Sequence, residues 1–177
     1  FVNSLDDFNQ NYVSIDGTQI LFEKMTCLCS KGPTDSLYVF FNGDENVNVQ
    51  RIKEYEKRAV DQSVNKVIVV VSGKVNAIAR RVMEEMGRGD GVKFQCFEDD
   101  DLVVNITHHE LVPKHYPLGV EEAKKILDAY SLQVSMLPRI LSKDPIVQYF
   151  GLEKGSVVRI TRTSETAGEY TTYRQVV

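Results

Sequence analysis

The stretch VIVVVSGKVNAIARRVMEEMG, residues 67–87, combines a strand, a break and an amphipathic helix. Its first five residues are all β-branched, which is typical of a strand buried within a sheet. Ser72 and Gly73 then interrupt the strand. The apolar side chains that follow recur every three or four residues and predict one buried stripe on a helix that Gly87 ends: Val75, Ile78, Ala79, Val82, Met83 and Met86.

Similar signals flank this stretch on both sides. The apolar run at 36–41 predicts a strand covered on both faces, and the apolar spacing at 48–62 predicts a helix. Alternation at 92–97 predicts a third strand. The order strand–helix–strand–helix–strand requires right-handed crossovers, so we predict a mainly parallel sheet with flanking helices. Residues 1–104 are therefore predicted to form an α/β N-terminal domain.

The second half of the chain, residues 105–177, has shorter elements. Asp144 and Pro145 predict the start of a short helix that ends at Gly151, because aspartate caps free N–H groups and proline fits the first helical position. A longer amphipathic helix is predicted by Val120, Ala123, Ile126, Leu127 and Tyr130.

Two strand patterns close the chain. Residues 157–162 and 170–176 are separated by a turn at 164–168 and predict an antiparallel hairpin, while 137–140 is expected to be extended around Pro138. We therefore predict a small α+β C-terminal domain with an antiparallel hairpin.

Composition and charge restrict the class of protein. The chain is 42% hydrophobic and 26% charged, which is typical of a globular protein. No apolar run approaches the roughly 18 residues that span a bilayer, so we expect no membrane partner. Residues 1–104 contain 12 basic and 17 acidic residues, a net charge of −5, and residues 105–177 contain 9 and 8, a net charge of +1. Neither part has the basic excess of a free-standing nucleic-acid-binding protein.

Cysteines and acids give no strong metal signal. Cys27 and Cys29 alternate on a predicted strand, without the two-residue gap of a zinc or redox pair, and together with Cys96 we expect them to be buried, reduced thiols. The four acids at 98–101 could hold Mg²⁺ or Ca²⁺, but a solvated loop is the preferred interpretation, since such sites need spaced carboxylates.

The three histidines of the chain lie at positions 108, 109 and 115. A zinc protease motif needs two histidines four residues apart on a helix. Here Pro113 stands where the second histidine should follow His109-Glu110, and proline opposes a helix. We therefore expect His109 and His115 to hydrogen-bond to the backbone and brace a loop. A metal-dependent hydrolase or nuclease that uses His108, His109, His115 and acids is the alternative.

Several motifs of the second half occur in an order that resembles a known family. They are HELVPKH at 109–115, LPRI at 137–140, Asp144-Pro145, Gly151, SETAG at 164–168, Tyr170 and Tyr173-Arg174. This part resembles the RNA polymerase subunit 5 family, whose C-terminal domain is similar to a subunit of archaeal RNA polymerase. The matching motifs lie close together over 105–177. Over 1–104 the resemblance is weaker, and there the predicted order of strands and helices agrees with that of the family. The family begins with an additional helix that we expect this chain to lack.

The resemblance implies a function. It implies a non-catalytic subunit of the nuclear RNA polymerases, with a C-terminal assembly domain docked on the largest subunit, an N-terminal jaw domain near downstream DNA, and other polymerase subunits as further partners. It implies no cofactor in this chain, since the Mg²⁺ chemistry of the polymerase resides in other subunits. The residues expected to shape this docking surface or to define the fold are His109, Glu110, Pro113, His115, Pro138, Arg139, Asp144, Pro145, Ser164, Glu165, Thr166, Gly168, Tyr173 and Arg174.

Each of these residues has a second explanation, which is internal folding of the small domain; as a set they favour an interface. Arg80, Arg81 and Arg88 are the candidates to face DNA, and together with Lys93 they also leave open a free-standing DNA-binding factor. Glu153 and Glu169 stand where basic residues are expected in typical members of the family. Together with the acidic N-terminal half, they oppose strong intrinsic DNA affinity and leave open a divergent paralogue restricted to one polymerase class.

Overall fold

The computed structural model has two units, Phe1–Val103 and Val104–Val177, so the division lies beside the boundary expected from the sequence. It describes residues 4–30, 32, 35–44, 47–89, 91–164 and 168–177. None of the helices in these ranges is both long enough and apolar enough to cross a membrane.

The N-terminal unit is built around a four-stranded sheet with the order β1-β2-β3-β4. Strands β2, β3 and β4 are parallel, and β1 pairs with β2 in the antiparallel direction at one edge. The mainly parallel sheet predicted from the sequence is confirmed. In chain order the elements are α1 (Leu5–Tyr12), β1 (Cys27–Ser30), β2 (Ser36–Asn42), α2 (Val49–Asp61), β3 (Lys66–Val71), α3 (Ala77–Met86), β4 (Lys93–Glu98) and α4 (Asp99–Leu102).

The two long helices of this unit pack on the same face of the sheet. Two right-handed crossovers that move in one direction along β2-β3-β4 must place both helices on one side. Alternate residues of β3 are therefore fully buried, while the residues between them are only half-buried. Strand β2, which was expected to be covered on both faces, has both helices on one face, and its residues Leu37, Val39 and Phe41 on the other face are half-buried. The core consists mainly of Phe40, Ile52, Tyr55, Ala59, Val67, Val69, Val71, Ala79 and Met83.

Three local details of this unit differ from the sequence predictions. Helix α3 begins at Ala77 because the Asn76 side chain accepts a hydrogen bond from the Ile78 N–H at 3.2 Å and caps it. The buried stripe of α3 is narrower than predicted, because Ile78 is 64% exposed. Cys27 and Cys29 are exposed rather than buried, because β1 lies at the sheet edge and their side chains face away from the helices.

The sequence does not predict α1 or α4. Ser4 caps α1 through a hydrogen bond from the Asp7 N–H to its hydroxyl oxygen at 3.1 Å. The acidic run expected to be a loop forms α4, with three aspartates in its first turn, where the helix dipole favours negative charge.

The C-terminal unit is a second four-stranded sheet, with the order β5-β7-β8-β6. The predicted hairpin is confirmed as β7 and β8, and both strands are longer than predicted. Strand β5 pairs with β7, and β6 runs parallel to β8 at the opposite edge. The elements are β5 (Lys114–Pro117), α5 (Val120–Ala129), β6 (Arg139–Ile140), α6 (Pro145–Tyr149), β7 (Val157–Ser164) and β8 (Gly168–Val176).

The core of this unit lies between one face of its sheet and α6. It consists of Ile140, Val147, Val158, Ile160 and Val176, with Leu152 packed against them. Helix α5 forms where predicted but has no buried residue. Two members of its predicted stripe are exposed, Val120 at 84% and Tyr130 at 65%.

Candidate subunit interface

The histidine-bearing segment is held by hydrogen bonds to its own backbone. The Leu111 N–H donates to Nδ1 of His109 at 3.2 Å, and Nδ1 of His115 lies 2.7 Å from the Pro113 carbonyl oxygen. Because a carbonyl only accepts, Nδ1 of His115 carries the proton in that contact. The expectation that both histidines brace the backbone is confirmed.

The residues around these histidines form short, local structures. Asn105 accepts hydrogen bonds from the N–H and the hydroxyl of Thr107, at 3.0 and 2.6 Å, and so caps a 3-10 turn that ends at His108. His108 and Glu110 are exposed, and Pro113 is half-buried just before β5. Within the described residues, no three histidine, cysteine, aspartate or glutamate side chains are grouped so that they could hold a metal. The hydrolase or nuclease alternative therefore has no structural support.

Asp144 and Pro145 build the start of α6, as predicted. The carboxylate oxygen Oδ1 of Asp144 accepts from the Ile146 N–H at 2.9 Å, and Pro145 occupies the first turn. The helix ends before Gly151, which has a φ of 60° and donates its N–H to the Gln148 carbonyl. These residues position Val147, which is buried in the core.

Pro138, Arg139 and Arg174 meet at the β6 edge of the sheet. The Gln175 N–H donates to the Pro138 carbonyl at 2.9 Å, and Nη1 of Arg174 donates to the Arg139 carbonyl at 3.4 Å. The side chain of Arg139 is exposed. The structure therefore places the Arg174 side chain beside the backbone of Arg139, which is 35 positions away in the sequence.

The hairpin tip carries the remaining predicted residues. Ser164 pairs with Gly168 at the end of the hairpin, and Gly168 has a φ of 71°, as its predicted conformational role requires. Glu165 and Thr166 lie outside the described residues.

The sheet face opposite the core carries an aromatic and cationic surface, which we call the tyrosine–arginine face: Tyr116, Tyr130, Arg159 and Tyr173. The Arg159 guanidinium carbon lies 4.9 Å from the centre of the Tyr116 ring, and Tyr173 is directly opposite Arg159 in the hairpin. Tyr130, at the end of α5, lies 6.5 Å from Tyr173 between ring centres. Tyrosine and arginine are the side chains most enriched where protein interfaces are strongest.

The predicted interface residues divide between the two faces of this sheet. Tyr173 belongs to the tyrosine–arginine face, and Arg139 lies beside Gln175 on the same side. His115 and Arg174 pair with the core residues Ile160 and Val158, and so lie on the core side.

Sequence reasoning missed Tyr116, Tyr130 and Arg159 as interface candidates. The hairpin register alone places Arg159 opposite Tyr173, but the position of Tyr116 depends on the pairing of β5 with β7. The Nε atom of Arg159 is buried and has no hydrogen-bond partner in the described part of the chain, because the guanidinium lies over the ring.

The three arginines expected to face DNA lie in the N-terminal unit. Arg80 and Arg81 are on α3, Arg88 follows it, and all three are exposed. Burial raises the pKa of the Cys96 thiol to about 11, and the positive charge of Arg80 partly opposes that rise.

Comparison with known proteins supports the resemblance. A family model described as "RNA polymerase Rpb5, C-terminal domain" matches residues 104–176. A protein of Dictyostelium discoideum named DNA-directed RNA polymerases I, II, and III subunit rpabc1 is 43% identical over 157 residues, which cover 88% of this chain and 80% of that protein. A Caenorhabditis elegans protein named DNA-directed RNA polymerases I, II, and III subunit RPABC1 is 40% identical over 145 residues, 82% of this chain and 68% of the relative.

A plant relative is similar over the same extent. The Arabidopsis thaliana protein named DNA-directed RNA polymerase subunit 5-like protein 1 is 39% identical over 158 residues, which cover 88% of this chain and 74% of that protein. The similarity to all three relatives therefore extends beyond the C-terminal unit into the N-terminal unit.

Proposed function

The chain belongs to the RNA polymerase Rpb5 family, and on this premise we propose that it is a non-catalytic subunit of a nuclear DNA-directed RNA polymerase. Its C-terminal unit docks on the largest subunit, and its N-terminal unit forms part of the jaw near downstream DNA. The catalytic Mg²⁺ chemistry resides in other subunits. The names of the relatives, two of which are described as subunits of polymerases I, II and III, support this assignment.

We propose that docking uses the tyrosine–arginine face. Tyr116 is 41% exposed and Tyr130 is 65% exposed, so both rings have large apolar surfaces left for a partner. Helix α5, which Tyr130 follows directly, buries none of its residues completely within the chain. An exposed aromatic surface beside a helix whose apolar residues are at most half-buried is the observation that carries this part of the proposal.

The experiment is affinity purification of the tagged chain from its own cells, with identification of the polymerase subunits that copurify. Tyr116→Ala has a matched control in Tyr170→Ala, because Tyr170 is 45% exposed and lies 5.3 Å from the Arg162 guanidinium carbon. Tyr170 and Arg162 lie on the opposite side of the hairpin from Arg159 and Tyr173. We expect Tyr116→Ala to lose at least about tenfold of the copurifying largest subunit and Tyr170→Ala to keep it.

The outcomes separate the alternatives. Equal recovery with both variants would place docking elsewhere on the chain, and recovery of the wild-type chain without any polymerase subunit would refute the proposed function. Recovery of the largest subunit of a single polymerase would identify the restricted paralogue. Recovery with all three would identify a shared subunit.

The proximity of the N-terminal unit to DNA is tested in the assembled polymerase. We expect Ala at positions 80, 81 and 88 to leave copurification unchanged but to make downstream DNA contacts more sensitive to salt, since phosphate contacts depend on counterion release. Arg58→Ala is the control, because Arg58 is already paired with Glu54 at 2.6 Å. An identical salt dependence for the triple variant and this control would show that these three arginines do not contact downstream DNA.

A further inference from the structure

Two thiols lie side by side on the edge strand of the N-terminal sheet. Cys27 pairs with Val39 and Cys29 with Leu37, so both side chains lie on the same side of β1, with only Leu28 between them in the sequence. Both cysteines are exposed. Strand β1 is the outer strand of its sheet, so nothing in the described part of the chain pairs with its other edge.

The two thiols are close enough to interact. Partial burial raises the pKa of Cys27 above its ordinary value, and the charge of Cys29 and a hydrogen bond with its thiol raise it further. The two side chains are neighbours on this face of β1, and neither belongs to the proposed docking surface.

The spacing favours a bridging atom over a disulfide. Two positions along a strand span about 6.6 Å between Cα atoms, at the upper limit of the roughly 4.4–6.8 Å that disulfides tolerate. A disulfide holds its sulfurs only about 2.05 Å apart, whereas two metal–sulfur bonds of about 2.3 Å hold them up to about 4.6 Å apart. A strand can therefore place two thiolates on one ion without bending.

The number of ligands selects the ion. Thiolates prefer soft ions, chiefly Cu(I), zinc and iron–sulfur clusters. Structural zinc and iron–sulfur clusters require four protein ligands. No third histidine, cysteine, aspartate or glutamate completes a metal-binding group with this pair among the residues that the structure describes. Cu(I), which accepts two thiolates, is the ion that fits.

We propose that Cys27 and Cys29 form a two-thiolate site for one Cu(I) ion, a property beyond the proposed function of the chain. Binding replaces two S–H bonds with two Cu–S bonds: one Cu(I) and two thiols give one bis-thiolate complex with a single negative charge and release two protons. No electron is transferred, so no oxidant or reductant is needed.

The experiment is an anaerobic titration of the full chain with Cu(I), in competition with the chromophoric chelator bicinchoninate. The variants are Cys27→Ser, Cys29→Ser and Cys96→Ser. Cys96 is the matched control, because it is half-buried on β4 and faces the helices rather than the exposed pair. We expect wild type and Cys96→Ser to bind one Cu(I) per chain with equal affinity, and each of the other variants to bind about 100-fold more weakly, since both thiolates must bind the same ion.

Three results would overturn the site. They are wild-type affinity in Cys27→Ser or Cys29→Ser, loss of affinity in Cys96→Ser, and binding of more than one ion by the wild type. X-ray absorption at the copper edge gives a readout that does not depend on the variants: two sulfur neighbours support the site, and three sulfurs contradict it. Because the titration uses the isolated chain, its failure would leave the polymerase assignment unaffected, and the reverse also holds.

Discussion

The N-cap of α6 connects a local sequence signal to the stability of the C-terminal unit. Asp144 Oδ1 accepts the Ile146 N–H at 2.9 Å in a partly buried setting. The helix that it starts is only five residues long, yet it places Ile146 and Val147 in the buried interior. We therefore expect Asp144→Ala to destabilise this unit.

The magnitude follows from the contact that is lost. Removing the capping oxygen leaves the Ile146 N–H without its partner, and substitutions of this kind cost about 1 kcal/mol of unfolding free energy, with an upper range of about 2 kcal/mol. For a unit that spans Val104–Val177, the unfolding entropy is such that 1 kcal/mol lowers the Tm by about 6 °C.

Differential scanning calorimetry of the full chain measures the shift. The transition of the N-terminal unit is identified with Ile52→Val, because Ile52 is fully buried in the core of that unit. Asp144→Asn is the matched control, since asparagine caps a helix about as well as aspartate but carries no charge. We expect the alanine variant to lose about 6 °C and the asparagine variant to lose much less.

Two results would refute this reasoning. Equal losses for Asp144→Ala and Asp144→Asn would show that the charge matters and the hydrogen bond does not. If Asp144→Ala were folded at the purification temperature and yet failed to copurify with polymerase, Asp144 would contact a partner directly, and its stabilising role would be secondary.

Three further predictions concern single side chains. Val147→Ala removes two methyl groups from a side chain that is 1% exposed, so we expect a loss of about 2 kcal/mol, measured by urea unfolding. Gly168→Ala places a side chain at a φ of 71° and should cost about 1 kcal/mol in the same assay, whereas equal stability would mean that the hairpin tip relaxes. Burial raises the pKa of Cys96 from 9.0 to about 11, so at pH 8 iodoacetamide should label it about 100-fold more slowly in the folded chain than in urea. The same shift means that the folded chain holds this proton more tightly than the unfolded chain, so the Cys96 contribution to stability is complete below pH 9 and is lost as the pH rises towards about 11.

The elements that follow from contacts between near neighbours can be predicted from the sequence. The cap at Asp144, the left-handed Gly151 and the Gly87 end of α3 each depend on residues within four positions. The spacing of apolar residues in β3 and α3 is equally informative, because each element buries one face in the core and that face sets the spacing. The apolar stripe places the start of α3 two residues too early, since the Asn76 cap outweighs the apolar Val75 as a boundary signal.

Features that depend on pairing between distant strands cannot be predicted in this way. The exposure of Cys27 follows from the edge position of β1 and from the placement of both helices on the other face. The contact of Arg159 with Tyr116 requires the register of β5 against β7, and no local pattern specifies it. The apolar stripe of α5 correctly predicts a helix, but it does not reveal that Val120 is left exposed.

The histidines show why residue type alone is a poor guide to chemistry. A histidine binds a metal through one ring nitrogen, while its other nitrogen commonly hydrogen-bonds to a backbone carbonyl or a carboxylate, and among the described residues no group of three ligands forms around these rings. Here the Nδ1 atoms of His109 and His115 each bond to a backbone group two residues away, and Pro113 separates the two turns. Each histidine thus hydrogen-bonds within its own turn, and the two turns shape the chain that leads into the β5 edge of the sheet. An edge held by hydrogen bonds to its own backbone suits the proposed docking through the tyrosine–arginine face, because a surface that is already ordered loses little entropy when it binds.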